Sequence, residues 1–375
     1  MEEKLLILPA RPGAAGESQS GLNQAAPRIY GRLLVPPGAT TAAVLIHPTS
    51  NFLHHYLLAP LAARGIAAAA FNTRYAGNDT TLLMEQAIAD LGVGVRHLRE
   101  RGFRRILLLG NSGGGALVAF YQAQAERGLV QDLPDGRPFP LAPEETPPAD
   151  AIALFAAHPG RARTLLSWLD PSVIDEADPQ ATDPAWDMFC PANGPPYDPA
   201  WLAAYRARQR ARRDRIEERV RARLRMLAAD PAGPQDEAIL IHRTHADPRF
   251  LDLSLDANER QPGSIWGDPR QVNRAANAMG RFSTLRSWLS QWSAASRADG
   301  PARLAETSVP VMVVDHRADA SVFPSDNAAW AAAAAARPRG GPARREALPG
   351  GDHYLSGRPD LVERLAGLIA DFAAG

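Results

Sequence analysis

Residues 105–118, Arg105-Ile-Leu-Leu-Leu-Gly110-Asn111-Ser112-Gly113-Gly114-Gly115-Ala-Leu-Val, decide how this chain reads. An apolar run of strand length, Arg105 to Leu109, passes through Gly110-Asn-Ser-Gly-Gly114 into a segment, Gly115 to Arg127, with apolar residues at helical spacing and an Arg-Gly stop. This is Gly-x-Ser-x-Gly in the strand-turn-helix context that the motif requires. Glycine two residues either side of the serine clears the side chains from a turn sharp enough to lift a hydroxyl off a sheet. At the start of the helix, Ser112 has the N–H of Gly113 and the helix dipole beside it, both suited to a developing oxyanion. A dinucleotide-binding loop fits less well, because that fingerprint has glycine where this chain has Ser112.

Around this stretch, short apolar runs alternate with helix-like segments. The runs are Tyr30 to Val35, Ala42 to His47, Ile66 to Phe71, Arg105 to Leu109, Ala151 to Ala156, Val309 to Val314 and Arg345 to Leu348. Leu82 to Arg101 and Gly115 to Arg127 read as crossover helices, and a final amphipathic helix begins at Pro359. Such alternation predicts an α/β fold with a mostly parallel sheet covered by helices on both faces. The rhythm stops after Arg161 and resumes at Val309, which predicts an insertion over residues 161–305 and a body made of residues 1–160 and 306–375. About 230 residues then form the body, an ordinary size for one domain. Six of the seven tryptophans fall in the insertion.

Composition narrows the chemistry. The 375 residues are 45% hydrophobic, enough for a packed core. Forty-one basic and 41 acidic side chains cancel, so no overall field recruits nucleic acid or an anionic membrane. Lys4 is the single lysine, which excludes a P-loop and a catalytic lysine. Cys190 cannot form an internal disulfide and has no activating context, and neither a secretory signal nor a membrane span is legible, so a cytoplasmic location is expected. The ten arginines between Arg206 and Arg225 read as a solvated helix face, with an anion-binding surface as the lesser reading. His242, His245 and Asp247 lack the rest of a zinc constellation, and no metal or other cofactor is expected.

A serine hydroxyl attacks only when an imidazole takes its proton, and the imidazole needs a carboxylate to fix its tautomer. His353, in Pro349-Gly-Gly-Asp-His-Tyr-Leu after the last strand, is the general base. Two carboxylates follow strand Val309 to Val314, Asp315 and Asp319. In these residues and their order the chain resembles the α/β-hydrolase superfamily, on both flanks of the insertion. The resemblance implies an α/β-hydrolase fold with a large helical lid at the insertion. Laying the family's Pro-Val-x-x-x-His-Gly-x-x-Asp over Pro310 onward puts the acid on Asp319, with Asp315 where the family has histidine and His316 where it has glycine. The family's His-Gly-x is matched by His47-Pro48-Thr49, so the backbone N–H of Thr49, or else of Ser50, joins that of Gly113 in the oxyanion hole. Asn72 and Arg74 match residues that hold this loop.

The activity so implied is a serine hydrolase that cleaves a carboxylic ester through an acyl-enzyme. Carbon-carbon hydrolase, amidase, lactonase and thioesterase chemistries use the same triad, and a non-catalytic ligand-binding protein is the alternative of another class. Its partner would be a small ester-like molecule, with self-association open. The tryptophans predict a mainly apolar pocket under the lid, and Trp288 and Trp292, four apart on an expected helix from Phe282 to Ser293, are the first candidates to face it.

Overall fold

The structure is a computed structural model, and it describes residues 1–12, 27–337 and 340–375. In chain order the strands are β1 (Glu2–Pro9), β2 (Arg28–Val35), β3 (Thr41–His47), β4 (Ala67–Asn72), β5 (Arg105–Ser112), β6 (Ala151–Ala157), β7 (Ala238–Leu240), β8 (Phe282–Thr284), β9 (Val311–His316) and β10 (Ala343–Leu348). The helices are α1 (Leu58–Ala63), α2 (Met84–Glu100), α3 (Gly114–Arg127), α4 (Arg161–Trp168), α5 (Pro199–Ala228), α6 (Pro269–Arg274), α7 (Leu285–Gln291), α8 (Gly300–Leu304), α9 (Pro324–Ala335) and α10 (Pro359–Ala374).

Eight strands form one sheet in the order β1-β2-β4-β3-β5-β6-β9-β10. From β4 to β10 the neighbours are parallel, and β2 runs antiparallel to both β1 and β4. Central strands are apolar on both faces because helices cover both. On β3, Ala42, Val44 and Ile46 pack with α2 and α3, whereas Ala43 and Leu45 pack with α1 and α10. The helical stripe read at the C-terminus points inward: Leu361, Leu365, Ile369 and Phe372 are buried.

Strand β1 was not legible. Its outward side chains Leu5 and Ile7 are 78% and 64% exposed while Leu6 and Leu8 pack on the core, so the apolar residues do not alternate with polar ones. Residues 161–305 contribute nothing to the large sheet. They hold α4 to α8 and the two-stranded β7-β8 sheet, and their own apolar cluster joins Leu165, Ile216, Val220, Leu285, Trp288 and Trp292. The expected helix over Phe282–Ser293 is in fact β8 followed by α7, since Thr284 caps the helix by accepting the N–H of Ser287.

The steric demand of the serine turn is visible. A Cβ on Gly110 would lie 2.6 Å from Leu154 Cδ2, and one on Gly114 would lie 2.3 Å from the carbonyl oxygen of Ile46. Strand β5 thus enters the turn with no room for side chains. Gly114→Ala should destabilise the protein by about 1–3 kcal/mol and displace the turn. Gly367→Ala, on α10 with nothing near the new methyl, should be neutral or slightly stabilising. Denaturant midpoints of the two variants check this.

Candidate active site

Strand β5 ends at Ser112 with φ +54°, a left-handed conformation that a non-glycine residue adopts only under constraint. The constraint comes from both sides. The Ser112 carbonyl accepts the N–H of His158, and the β5–β6 register slips between Asn111 and Ser112. Asn111 donates to the Phe155 carbonyl and bonds His55, while α3 starts at once beyond Gly113.

His353 lies on the loop between β10 and α10, with its Nε2 3.1 Å from Ser112 Oγ and its Nδ1 2.8 Å from Asp319 Oδ2. A carboxylate accepts only, so Nδ1 carries the proton and Nε2 is free to take one from the serine. Asp319 is fully buried, and its other oxygen accepts the N–H groups of Ser321 and Val322 at 2.7 and 3.0 Å. Burial alone would raise its pKa, but attraction and hydrogen bonding to His353 outweigh burial and leave it below the usual carboxylate range. Asp315 is elsewhere: it accepts from Arg345 at 2.6 Å, across the β9–β10 pair. The structure therefore brings Ser112, His353 and Asp319 together and leaves Asp315 out.

The loop after β3 is held by β4 and by the residues just beyond that strand. Asn72 accepts the N–H of Phe52, Thr73 Oγ1 donates to the Pro48 carbonyl at 2.6 Å, and the Gly77 N–H donates to the Thr49 carbonyl at 2.7 Å. Arg74 forms a buried pair with Asp90 of α2 at 2.7 Å. Thr49 and Ser50 both border the cavity over Ser112, as does Gly113. Their N–H groups, however, donate to His47 Nδ1, at 3.0 Å from Thr49 and 2.7 Å from Ser50.

That cavity holds about 530 Å³. Its lining mixes apolar side chains, among them Trp168, Ile265, Trp266, Val272 and Met279, with polar ones, among them Asn78, Asp79 and Arg161. The lining is mixed, where a mainly apolar one was expected. The polar part escaped sequence reasoning because Arg161 opens a helix distant in sequence from every motif; it reaches Asp79 at 2.6 Å and Thr49 Oγ1 at 2.9 Å. Trp288 and Trp292 are a correction: both are buried in the cluster under α7 and neither borders the cavity. Spacing of four put them on one face, but that face packs inward, and Trp292 carries Arg161 on its ring at 4.9 Å. A second cavity of about 560 Å³ lies beyond His158, Thr164 and Trp168 and does not reach Ser112.

Imidazoles crowd the site. Burial drives His158 down to about 3, reinforced by His353, and holds His55 at about 4 against its bond to Asn111. His316, standing where the family has glycine, donates Nδ1–H to the Asp352 carbonyl at 2.8 Å and so anchors the His353 loop. Among the described residues no group of His, Cys, Asp and Glu is placed to hold a metal. His245 stacks between Phe250 and Trp266, and the arginine run lies on α5, where Arg206, Arg212, Arg221 and Arg223 pair with carboxylates. No described helix is long and apolar enough to cross a membrane.

Compared with known proteins, the chain matches no family model and no curated protein. Solved structures do match. That of DcsB in complex with its substrate analogue aligns over 99% of this chain and 100% of that one, with TM-score 0.52 and 13% identity. This is the α/β-hydrolase fold. The esterase domain of a Rhodothermus marinus protein (TM-score 0.47, 14% identity, 100% and 98% of the chains) and Est1E from Butyrivibrio proteoclasticus (0.45, 11%, 99% and 98%) align as well. In this α/β-hydrolase fold the Ser112 turn ends β5, Asp319 follows β9 and His353 follows β10.

The geometry makes two outcomes testable. In a serine hydrolase built on this triad, Asp319→Asn should lower kcat by about 10⁴ through the wrong histidine tautomer, whereas Asp315→Asn, which loses only a pair with a half-exposed arginine, should be mild. Stability should also depend on pH. Above about pH 6.5 the buried imidazoles of His47, His55, His158, His245 and His316 are neutral in both states and contribute nothing. Below it the unfolded chain takes up protons that the folded chain refuses, so stability falls by about 1.4 kcal/mol per pH unit for each imidazole held neutral. Thermal denaturation should show the melting temperature dropping steadily from about pH 6.5, before the carboxylates titrate.

Proposed function

We propose that the chain is a serine hydrolase that cleaves a carboxylic ester through an acyl-enzyme intermediate. One observation carries the reading: the continuous chain Ser112 Oγ, His353 Nε2, His353 Nδ1, Asp319 Oδ2, with spacings of 3.1 and 2.8 Å, whose Ser112 borders a cavity large enough for a small molecule. Ser112 attacks the ester carbonyl as His353 takes its proton, and the leaving alkoxide takes that proton back as the tetrahedral intermediate collapses. Water then repeats the sequence on the acyl-serine. Asp319 keeps Nδ1 protonated and stabilises the imidazolium at each stage. The Gly113 N–H, which meets no acceptor among the described residues, is one oxyanion donor, and the loop at Thr49 is the neighbourhood of the second.

Residues 161–305 act in this reading as a lid on a body formed by residues 1–160 and 306–375. Its support is the cavity wall: Arg161, Trp168, Ile265, Trp266 and Met279 all come from this segment, and the triad does not. An apolar acyl or aromatic group suits the tryptophans of the lining, and a polar substituent suits Arg161 and Asp79.

A fluorophosphonate probe should label Ser112, and Ser112→Ala should remove both labelling and turnover of p-nitrophenyl esters, on the order of a millionfold in kcat. Labelling elsewhere, or retention of more than about a tenth of the activity, contradicts the reading, since no acyl-enzyme forms without that oxygen. A protein that folds, keeps the triad and is never labelled would be a binder instead.

A further inference from the structure

Acyl transfer at Ser112 needs two hydrogen-bond donors where the carbonyl oxygen becomes an anion. Gly113 supplies one. The position expected to supply the other, the Thr49 N–H, is turned away from that task, because it and the Ser50 N–H both donate to Nδ1 of His47. Those two bonds define the imidazole. A ring nitrogen that accepts two N–H groups carries no proton, so in the neutral ring the proton sits on Nε2. Burial first, and then the positive field of Arg161, hold the pKa of His47 well below its ordinary value, so the ring stays neutral at pH 7.

The place of Nε2 is fixed by its neighbour. A Cβ built on Gly113 would stand 2.7 Å from it, so Nε2 abuts the backbone of the residue whose N–H is the first donor, and only because that residue is glycine. His47 itself borders the cavity over Ser112. The ring thus bridges the loop N–H groups on one side and the turn after Ser112 on the other.

Resting on the serine-hydrolase reading above, we propose that the side chain of His47, through Nε2–H, is the second oxyanion donor of this site. When Ser112 Oγ bonds the ester carbon, the carbonyl π pair moves onto oxygen, the serine proton moves to His353, and the oxyanion accepts from Gly113 N–H and His47 Nε2–H. When the intermediate collapses, that pair restores the carbonyl and the bond to the leaving oxygen breaks. His47 neither gains nor loses a proton. Donation into Nδ1 by the loop polarises the ring and strengthens Nε2–H as a donor.

The test uses two variants of the full chain. In His47→Asn the side-chain oxygen can still accept the loop N–H groups at the Nδ1 position, but nothing reaches Nε2. In His47→Gln the amide nitrogen can reach the Nε2 position. His47→Asn should lower kcat by about 10²–10³ with KM changed less than about threefold, and His47→Gln should recover at least about tenfold of that loss. Affinity for a trifluoromethyl ketone, which forms an anionic tetrahedral adduct with Ser112, should fall in parallel with kcat/KM. Near-normal kcat in His47→Asn, or inhibitor affinity that does not track kcat/KM, overturns the proposal. If the variants fold poorly, ring N–H resonances of the wild-type protein decide: the His47 Nε2 proton should move downfield on adduct formation, and an unmoved resonance rejects the donor role. Fluorophosphonate labelling of the wild-type separates the two levels, because absence of label at Ser112 fails the underlying reading, while label at Ser112 with an indifferent His47 fails this proposal alone.

Discussion

The left-handed backbone at Ser112 is the constraint around which the rest is arranged. A φ of +54° on a serine costs on the order of 1–3 kcal/mol and survives only if its surroundings allow nothing else. Here they are unusually bare. Gly110, Gly113, Gly114 and Gly115 each sit where a Cβ would strike a neighbour, respectively Leu154, the ring of His47, the carbonyl of Ile46 and Ala157. Close approach of β3, β5 and β6 therefore produces the turn and also decides which groups surround the hydroxyl. His47, the last residue of β3, and His158, the residue after β6, are in place because those two strands flank β5.

Electrostatics at the site derive from the same packing. One carboxylate, Asp319, is buried and held ionised by His353 and by two N–H groups. The neighbouring imidazoles of His47, His55 and His158 are kept neutral by burial. In the proposed reaction, proton transfer is thereby confined to the imidazole that touches both Ser112 and Asp319. Arg161, the nearest guanidinium on the cavity wall, is balanced by Asp79 and so adds direction more than net charge.

Much of this was written locally in the sequence. Gly110 to Gly114 between a strand and a helix, a histidine on a glycine-rich loop and an acid after a strand need only near neighbours to be read. The choice between Asp319 and Asp315 needed the family's spacing, and the structure supplies the reason: Asp315 lies within β9 and pairs with Arg345, whereas Asp319 follows a turn that aims it at His353. The features that could not be read depend on contacts across long separations. Trp168 and Trp266 line the cavity and Trp288 and Trp292 do not, a difference made by which face of each element meets the body. Arg161 and the ring of His47 gain their meaning from partners, Asp79 and Gly113, that no periodicity connects to them.

All of this chemistry rests on Ser112 carrying the acyl group. Rapid mixing with a p-nitrophenyl ester, acid quench and mass spectrometry of the intact and digested protein address it directly. A burst of p-nitrophenol, with the mass of one acyl group added to the peptide that contains Ser112, is the expected result. Steady turnover with no burst and no acylated Ser112 peptide, or an acyl group found on another residue, would contradict the account.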